Sequence, residues 1–432
     1  MELALLAKPM NIKAEGVFDF SSSTPAYNFS ISAPPLNLAQ LDRYGLKLPV
    51  DNPSGKVQVH LKVSSHDGKP VLSSFSAGTF WAGFKYRALT ASELEMSAQL
   101  SENFANSHIT AIGGKLALGS AQLSGLKLAT KISKEELSLD YSGRLNGDPV
   151  KGVVAILHPF SGTKIVDFKG YSKNLVFSEA KDLIFNSRDL YGGPKKKSHV
   201  YDAELAWVKT LKNSIPSGYG AFKLLYKADK FKHEYFAADD FYISSSLKNI
   251  TGDISKIRGD VSIKSGNGTF YQVQKTSEQD KVFYIFSMPL RLIYRMNRSG
   301  ALKFDSKVDD ISFNSIGVDY SLDEGKVNIR NFYMDGKEFS AYASGQIDFA
   351  NETTSLKIYT ISGKYNSMGS LPESMTDSSG KPALAFTIDG KMTKPEIKMI
   401  SPTDSGKIIK EAARRGADID FDKINRFAGG KQ

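Results

Sequence analysis

Residues 302–361 read LKFDSKVDDISFNSIGVDYSLDEGKVNIRNFYMDGKEFSAYASGQIDFANETTSLKIYTI. Leu302, Phe304 and Val308 alternate with small polar and charged neighbours, and Ile316, Val318, Tyr320 and Leu322 follow. Asp323-Glu324-Gly325-Lys326 then breaks the run, Val327 and Ile329 resume it, and Asp335-Gly336 breaks it again. A period of two puts apolar side chains on one face of a strand and polar ones on the other. Turn residues between such runs join them as antiparallel hairpins.

Outward from this stretch the same rhythm covers most of the chain. Val57, Val59, Leu61 and Val63 form the clearest alternation of the first half, ended by His66-Asp67-Gly68-Lys69-Pro70. Earlier strands are predicted over Ile12–Phe20 and Tyr27–Ile31, with a short helical turn in Pro34–Leu41. Further strands are predicted over 71–87, 93–100, 107–118, 121–132, 136–145, 150–157 and 164–177, with a hairpin at Asn146-Gly147-Asp148. Residues 178–235 are less regular, and Ala203–Leu211 fits a helix or a strand equally. Phe286–Met296 reads as a helical insert, with Pro289 in its first turn.

Near the C-terminus the period changes. Ile408, Ile409 and Ala412 share one helical face, with Asp404 or Ser405 as the cap, and Phe421, Ile424 and Phe427 repeat the pattern. Two short amphipathic helices are expected. They either fold back over the sheet or meet a membrane surface or partner. The fold class is therefore all-β: an elongated, twisted antiparallel β-groove of repeated hairpins, with short amphipathic helices as inserts and at the C-terminus. A boundary near 235 separates a repeating β-region, 1–235, from a second one, 236–400, and the helical tail is 401–432.

Composition agrees. The 432 residues exceed one ordinary compact core, and 26 Phe, 19 Tyr and 36 Gly suit a β-rich chain. The net charge of +10 admits anionic partners, but it is spread out, and the one dense run, Lys195-Lys196-Lys197, reads as a solvated loop. Cysteine is absent, which removes disulfides and thiolate chemistry. No apolar run reaches the roughly 18 residues of a membrane helix. Met1–Pro9 lacks the form of a signal peptide, and strands start at once, so the start of the protein is expected to be missing.

Known chemistry does not emerge. His60, His66, His108, His158, His199 and His233 are scattered without metal-ligand spacing. No Gly-Lys pair continues to Ser or Thr as a P-loop does, and no Gly-x-Ser-x-Gly elbow occurs. Asp239-Asp240 and Asp309-Asp310 are the nearest to a carboxylate pair, but strand neighbours point to opposite faces. Lys223–Lys232, with Phe222, Tyr226 and Phe231, is an isolated basic-aromatic stretch, and nucleic acid is not expected as a partner. No catalytic residue, metal or cofactor is assigned.

One resemblance is specific enough to name. Phe304–Val308, Gly325-Lys326-Val327-Asn328-Ile329, Gly345-Gln346-Ile347-Asp348-Phe349, Leu356-Lys357-Ile358 and Phe386–Pro395 together resemble the C-terminal region of the AsmA-like family of bacterial envelope proteins. Asp260–Phe270 and Tyr27–Leu41 are weaker echoes. The resemblance implies a curled sheet with an apolar groove that conducts phospholipid between inner and outer membranes or assists outer-membrane assembly, without catalysis or cofactor. It implies a periplasmic location; the inner-membrane helix that anchors full-length members is not in this sequence. Phospholipid or another membrane lipid, the two membranes and envelope proteins are the implied partners.

The candidate lipid-groove residues are Val57, Val59, Leu61, Val63, Ile316, Val318, Tyr320, Leu322, Val327 and Ile329. Ile408, Ile409, Ala412, Phe421, Ile424 and Phe427 are the candidate membrane or partner helix face. The alternative is an envelope scaffold with a filled core that acts through protein partners. An enzyme on a β-scaffold, using Asp239 or Asp309, has only the scattered carboxylates behind it.

Overall fold

The computed structural model describes residues 2–7, 11–21, 26–66, 69–104, 107–179, 218–272, 310–336, 339–362, 372–416, 419 and 421–429. The proposed insert at 286–296, the ambiguous 203–211, the tri-lysine, Phe304, Val308 and Asp309 lie outside these residues. Two compact units are present, the first running to Ser172 and the second containing the strands from Tyr219 onward. Residue 235 lies in a hairpin of the second unit, where His233 faces Phe236.

In the first unit the strands are β1 (Glu2–Ala7), β2 (Ile12–Asp19), β3 (Ala26–Asn37), β4 (Asp51–His66), β5 (Lys69–Tyr86) and β6 (Leu89–Ser101). They continue as β7 (Ser107–Leu118), β8 (Ala121–Ile132), β9 (Glu136–Leu145), β10 (Asp148–Leu157) and β11 (Lys164–Val176). Each is antiparallel to its sequence neighbours. The turn chemistry is as read: Asn146 and Gly147 have φ of 48° and 93°, the paired positive angles of a type I′ hairpin. The helical turn starts later than expected. β3 stays extended through both prolines, and a 3₁₀ turn over Leu38–Tyr44 begins where the Asn37 side chain accepts from the Ala39 amide at 3.0 Å.

A line of irregularities crosses this sheet. Gly55, Trp81, Glu93, Gly114 and Gly125, on the successive strands β4 to β8, all have positive φ, and register shifts accompany several of them. Bulges of this kind bend a sheet. Inside the bend sits a small core of Ala82, Ala91, Leu94, Ala111 and Leu126. At the opposite strand ends, Phe104 and Phe160 stack with ring centroids 5.1 Å apart. They follow strands four places apart, which a flat sheet holds about 19 Å from each other. The sheet between them therefore curls.

The second unit contains β12 (Tyr219–His233), β13 (Phe236–Ile250), β14 (Arg258–Ser265), β15 (Gly268–Phe270), β16 (Ile311–Phe313) and β17 (Ser315–Asp323). After these come β18 (Lys326–Asp335), β19 (Phe339–Asp348), β20 (Thr353–Ser362), β21 (Ala383–Lys391) and β22 (Glu396–Ile400). All pairings are antiparallel; β14 pairs with β17, while β15 and β16 form a short side ladder on β13. Two helices follow, α1 (Ser405–Arg415) and α2 (Phe421–Gly429). Asp404 stands at the cap position of α1, but its side chain makes no capping bond.

Both helices turn their apolar faces onto the sheet. Ile409 and Ala412 are buried where α1 crosses β18 to β21, and Ile424 is buried in α2. Asn331, in the β18 bulge, donates from Nδ2 to the Gly416 carbonyl at 2.9 Å, giving a partner to the end of α1. Phe421 packs edge-on to Tyr242 with centroids 5.0 Å apart, beneath Lys264. The covering role is the one this arrangement fills.

The Gly345-Gln346-Ile347-Asp348-Phe349 segment has a plain physical basis. Gly345 has φ of +138°, and a Cβ there would stand 2.1 Å from the Ser355 carbonyl oxygen. Asp348 Oδ1 accepts from the Ala350 and Asn351 amides, each at 2.9 Å, and so shapes the turn into β20. Burial alone would raise the Asp348 pKa, but these bonds, the Asn351 side chain and Lys326 outweigh it and hold the carboxyl below its ordinary value. Gly345→Ala is expected to destabilise the second unit by about 1–3 kcal/mol. Gly162→Ala, in open space, is expected to change little; urea unfolding of both variants checks the contrast.

Candidate functional site

The apolar face differs between regions. From β3 to β5, Phe29, Ile31, Val57, Val59, Leu61, Val63, Phe75 and Ala77 share a face through their cross-strand pairing, and each is only half-buried. They shield one another side by side.

In the second unit the face is filled in two places. One cluster gathers Ile347, Leu356, Ile358, Phe386 and Ile388 with Ile254, and the other gathers Ile311, Phe313, Ile316, Met334 and Phe339. Phe332 packs against both. A cavity of about 450 Å³ opens beside it. Val318, Tyr320 and Leu322 of β17 and Val327, Ile329 and Phe332 of β18 line one part. Leu247, Ile347, Phe349 and the flanks of the 3₁₀ turn Ile254–Lys256, Ile254 and Ile257, complete the wall.

The cavity thus brings together Val318, Tyr320, Leu322, Val327 and Ile329 from the residues expected in a groove. Ile316 sits apart from it in the neighbouring cluster, and the Val57–Val63 set lies on the open face of the first unit. Sequence reading missed Ile254 and Ile257, whose helical spacing behind Asp253, which caps the turn, was a usable signal. Phe332 was hidden by the bulge between Ile329 and Phe332, which breaks the period of two.

Tyr320 is the single lining residue with a polar side-chain atom. Its hydroxyl has no hydrogen-bond partner among the described residues. Burial pushes its phenol above the ordinary value of 10. The guanidiniums on the adjacent strands are already paired: Arg258 with Asp323 at 3.0 Å and Glu324 at 2.6 Å, and Arg330 with Asp260 at 2.8 Å. The wall is apolar and uncharged.

Both helices lie on the other face of the sheet. Gly406 of α1 abuts Ile361, which has the opposite parity in β20 to Leu356 and Ile358. Lys264, under α2, is likewise opposite in β14 to Val261, the cross-strand partner of Tyr320. The helices leave the cavity uncovered. Asp239 and Asp240 are exposed at a break in the β12–β13 register. Among the described residues no group of three His, Asp or Glu side chains could hold a metal ion, and no helix is long and apolar enough to cross a membrane.

Compared with known proteins, the chain matches no protein-family model, no curated protein and no solved structure.

Tyr333, nearly fully buried, also has its phenol pushed up, by burial and then by Asp319 and Asp335. For both tyrosines the folded pKa exceeds the unfolded one. Their contribution is therefore fully present below about pH 10 and is lost as pH rises through the folded values. The urea midpoint of the second unit is expected to fall between pH 9 and pH 11, and by less in Tyr333→Phe; an equal fall in that variant contradicts the assignment.

Proposed function

We propose that the chain is a non-enzymatic lipid-handling protein whose apolar sheet face receives acyl chains of phospholipid or another membrane lipid. The observation that carries this reading is the uncharged cavity of about 450 Å³, with the half-buried apolar face of β3 to β5 as a second support. Each methylene removed from water contributes about 0.8 kcal/mol, so a chain of a dozen carbons supplies a substantial driving force without any polar contact. The resemblance of residues 302–400 to the AsmA-like family supports a periplasmic setting, with transfer between inner and outer membranes or help in outer-membrane assembly.

A scaffold that acts through envelope protein partners is the second reading. The two filled clusters favour it for the sheet beneath β18 to β21.

Extraction and mass spectrometry of the purified protein separate the two. Co-purifying acyl lipid is expected, reduced several-fold in Val59→Asp or Leu61→Asp variants whose circular dichroism matches that of the wild type. A protein that carries no lipid in any preparation leaves the scaffold reading standing.

A further inference from the structure

We propose that the cavity of the second unit takes one long acyl chain at a time and that the Tyr320 hydroxyl donates a hydrogen bond to the carbonyl oxygen at the head of that chain. The proposal rests on the lipid-handling reading and makes it specific to one ligand chemistry.

Size sets the first limit. At roughly 30 Å³ per water-sized group, the cavity of about 450 Å³ has room for on the order of fifteen such groups. That matches one chain and falls well short of two.

Charge sets the second limit. Ten of the eleven lining side chains are Leu, Ile, Val or Phe. The arginines on the neighbouring strands are held by Asp260, Asp323 and Glu324. A phosphate or free carboxylate drawn inside would lose its hydration with no compensating charge, at heavy cost. A neutral acceptor carries no such cost.

Tyr320 supplies the third element. A phenol in an apolar wall with no partner among the described residues is an available donor, and a chain that displaced its water without accepting from it would leave that donor unpaired, which is unfavourable. A phenol keeps its proton throughout the physiological range, and burial moves this one further in that direction, so it can donate. An ester carbonyl at the start of a chain has the matching chemistry: one strong acceptor, no charge, and an apolar tail behind it. The same group occurs in a single-chain glyceride and in one chain of a two-chain phospholipid.

The test uses the full chain and calorimetric titration below the micellar concentration. The probes are 1-monolauroylglycerol, its ether analogue 1-dodecylglycerol, which lacks the carbonyl, and dioctanoylphosphatidylcholine. A net hydrogen bond of about 0.5–1.5 kcal/mol predicts that the wild type prefers ester over ether by about 2–13-fold. Tyr320→Phe, nearly isosteric, is expected to bind both at the ether's affinity. Leu322→Trp, which fills the cavity, is expected to weaken both probes. Phosphatidylcholine binding with the same dependence on Tyr320 makes a membrane lipid the source of the chain; binding of the monoacyl probe alone makes it a single-chain lipid.

Retention of the ester preference in Tyr320→Phe, or its absence in a wild type that binds both probes, overturns the role of Tyr320 while leaving the lipid-handling reading intact. Binding by Leu322→Trp as tight as wild type overturns the cavity as the site. Failure of the wild type to bind any probe overturns both readings together.

Discussion

One constraint governs this protein: an antiparallel sheet with period-two patterning has one apolar face and, among the described residues, no second sheet opposite to bury it. Pairing each strand with its neighbours satisfies the backbone polar groups along the ladder, but it does nothing for that face. The face must be covered by curvature, by other elements or by something brought from outside. In the first unit, bulges curl the sheet around a small core of Ala82, Leu94 and Leu126, while the face between β3 and β5 stays half-buried. In the second, large aromatics and β-branched residues fill two clusters and leave a cavity over β17 and β18.

The C-terminal helices make the same point from the other side. They are the elements best suited to cover an apolar surface, yet they cover the back of the sheet. There Asn331 ties α1 at its end, and Tyr242, Lys227 and Lys264 gather around Phe421 and Asn425 of α2. A cover placed on the cavity face would have yielded an ordinary two-layer core. Placed as they are, the helices stiffen the sheet and leave its apolar side accessible.

Much of this was legible in the residues. Strands expected over 107–118, 121–132 and 136–145 occur as Ser107–Leu118, Ala121–Ile132 and Glu136–Leu145, because alternation and turn residues agree there at every position. Val318, Tyr320 and Leu322 were placed on one face for the same reason. The bulges were not legible. Trp81 and Glu93 adopt left-handed backbone with side chains that do not favour it, so no local preference announces them. The filling of the face was also hidden, since Ile316 and Val318 have the same pattern in sequence but lie in a cluster and at a cavity respectively. Only the curvature of the assembled sheet distinguishes them.

The order of the strands has a consequence for how the molecule comes into being. Almost every ladder joins strands adjacent in sequence, so each pairing closes a short loop and costs little chain entropy. A sheet wired this way has low contact order for a β-protein and can grow one hairpin at a time from the N-terminal side as the chain is synthesised. Two ladders depart from this: β13 with β15, which skips one short strand, and β14 with β17, which must wait for β15, β16 and everything between them. That pairing also brings Val261 to Tyr320 at the cavity wall. The slowest closure of the fold thus coincides with the completion of its candidate binding site, and until then the apolar strands of the second unit have no finished surface to offer.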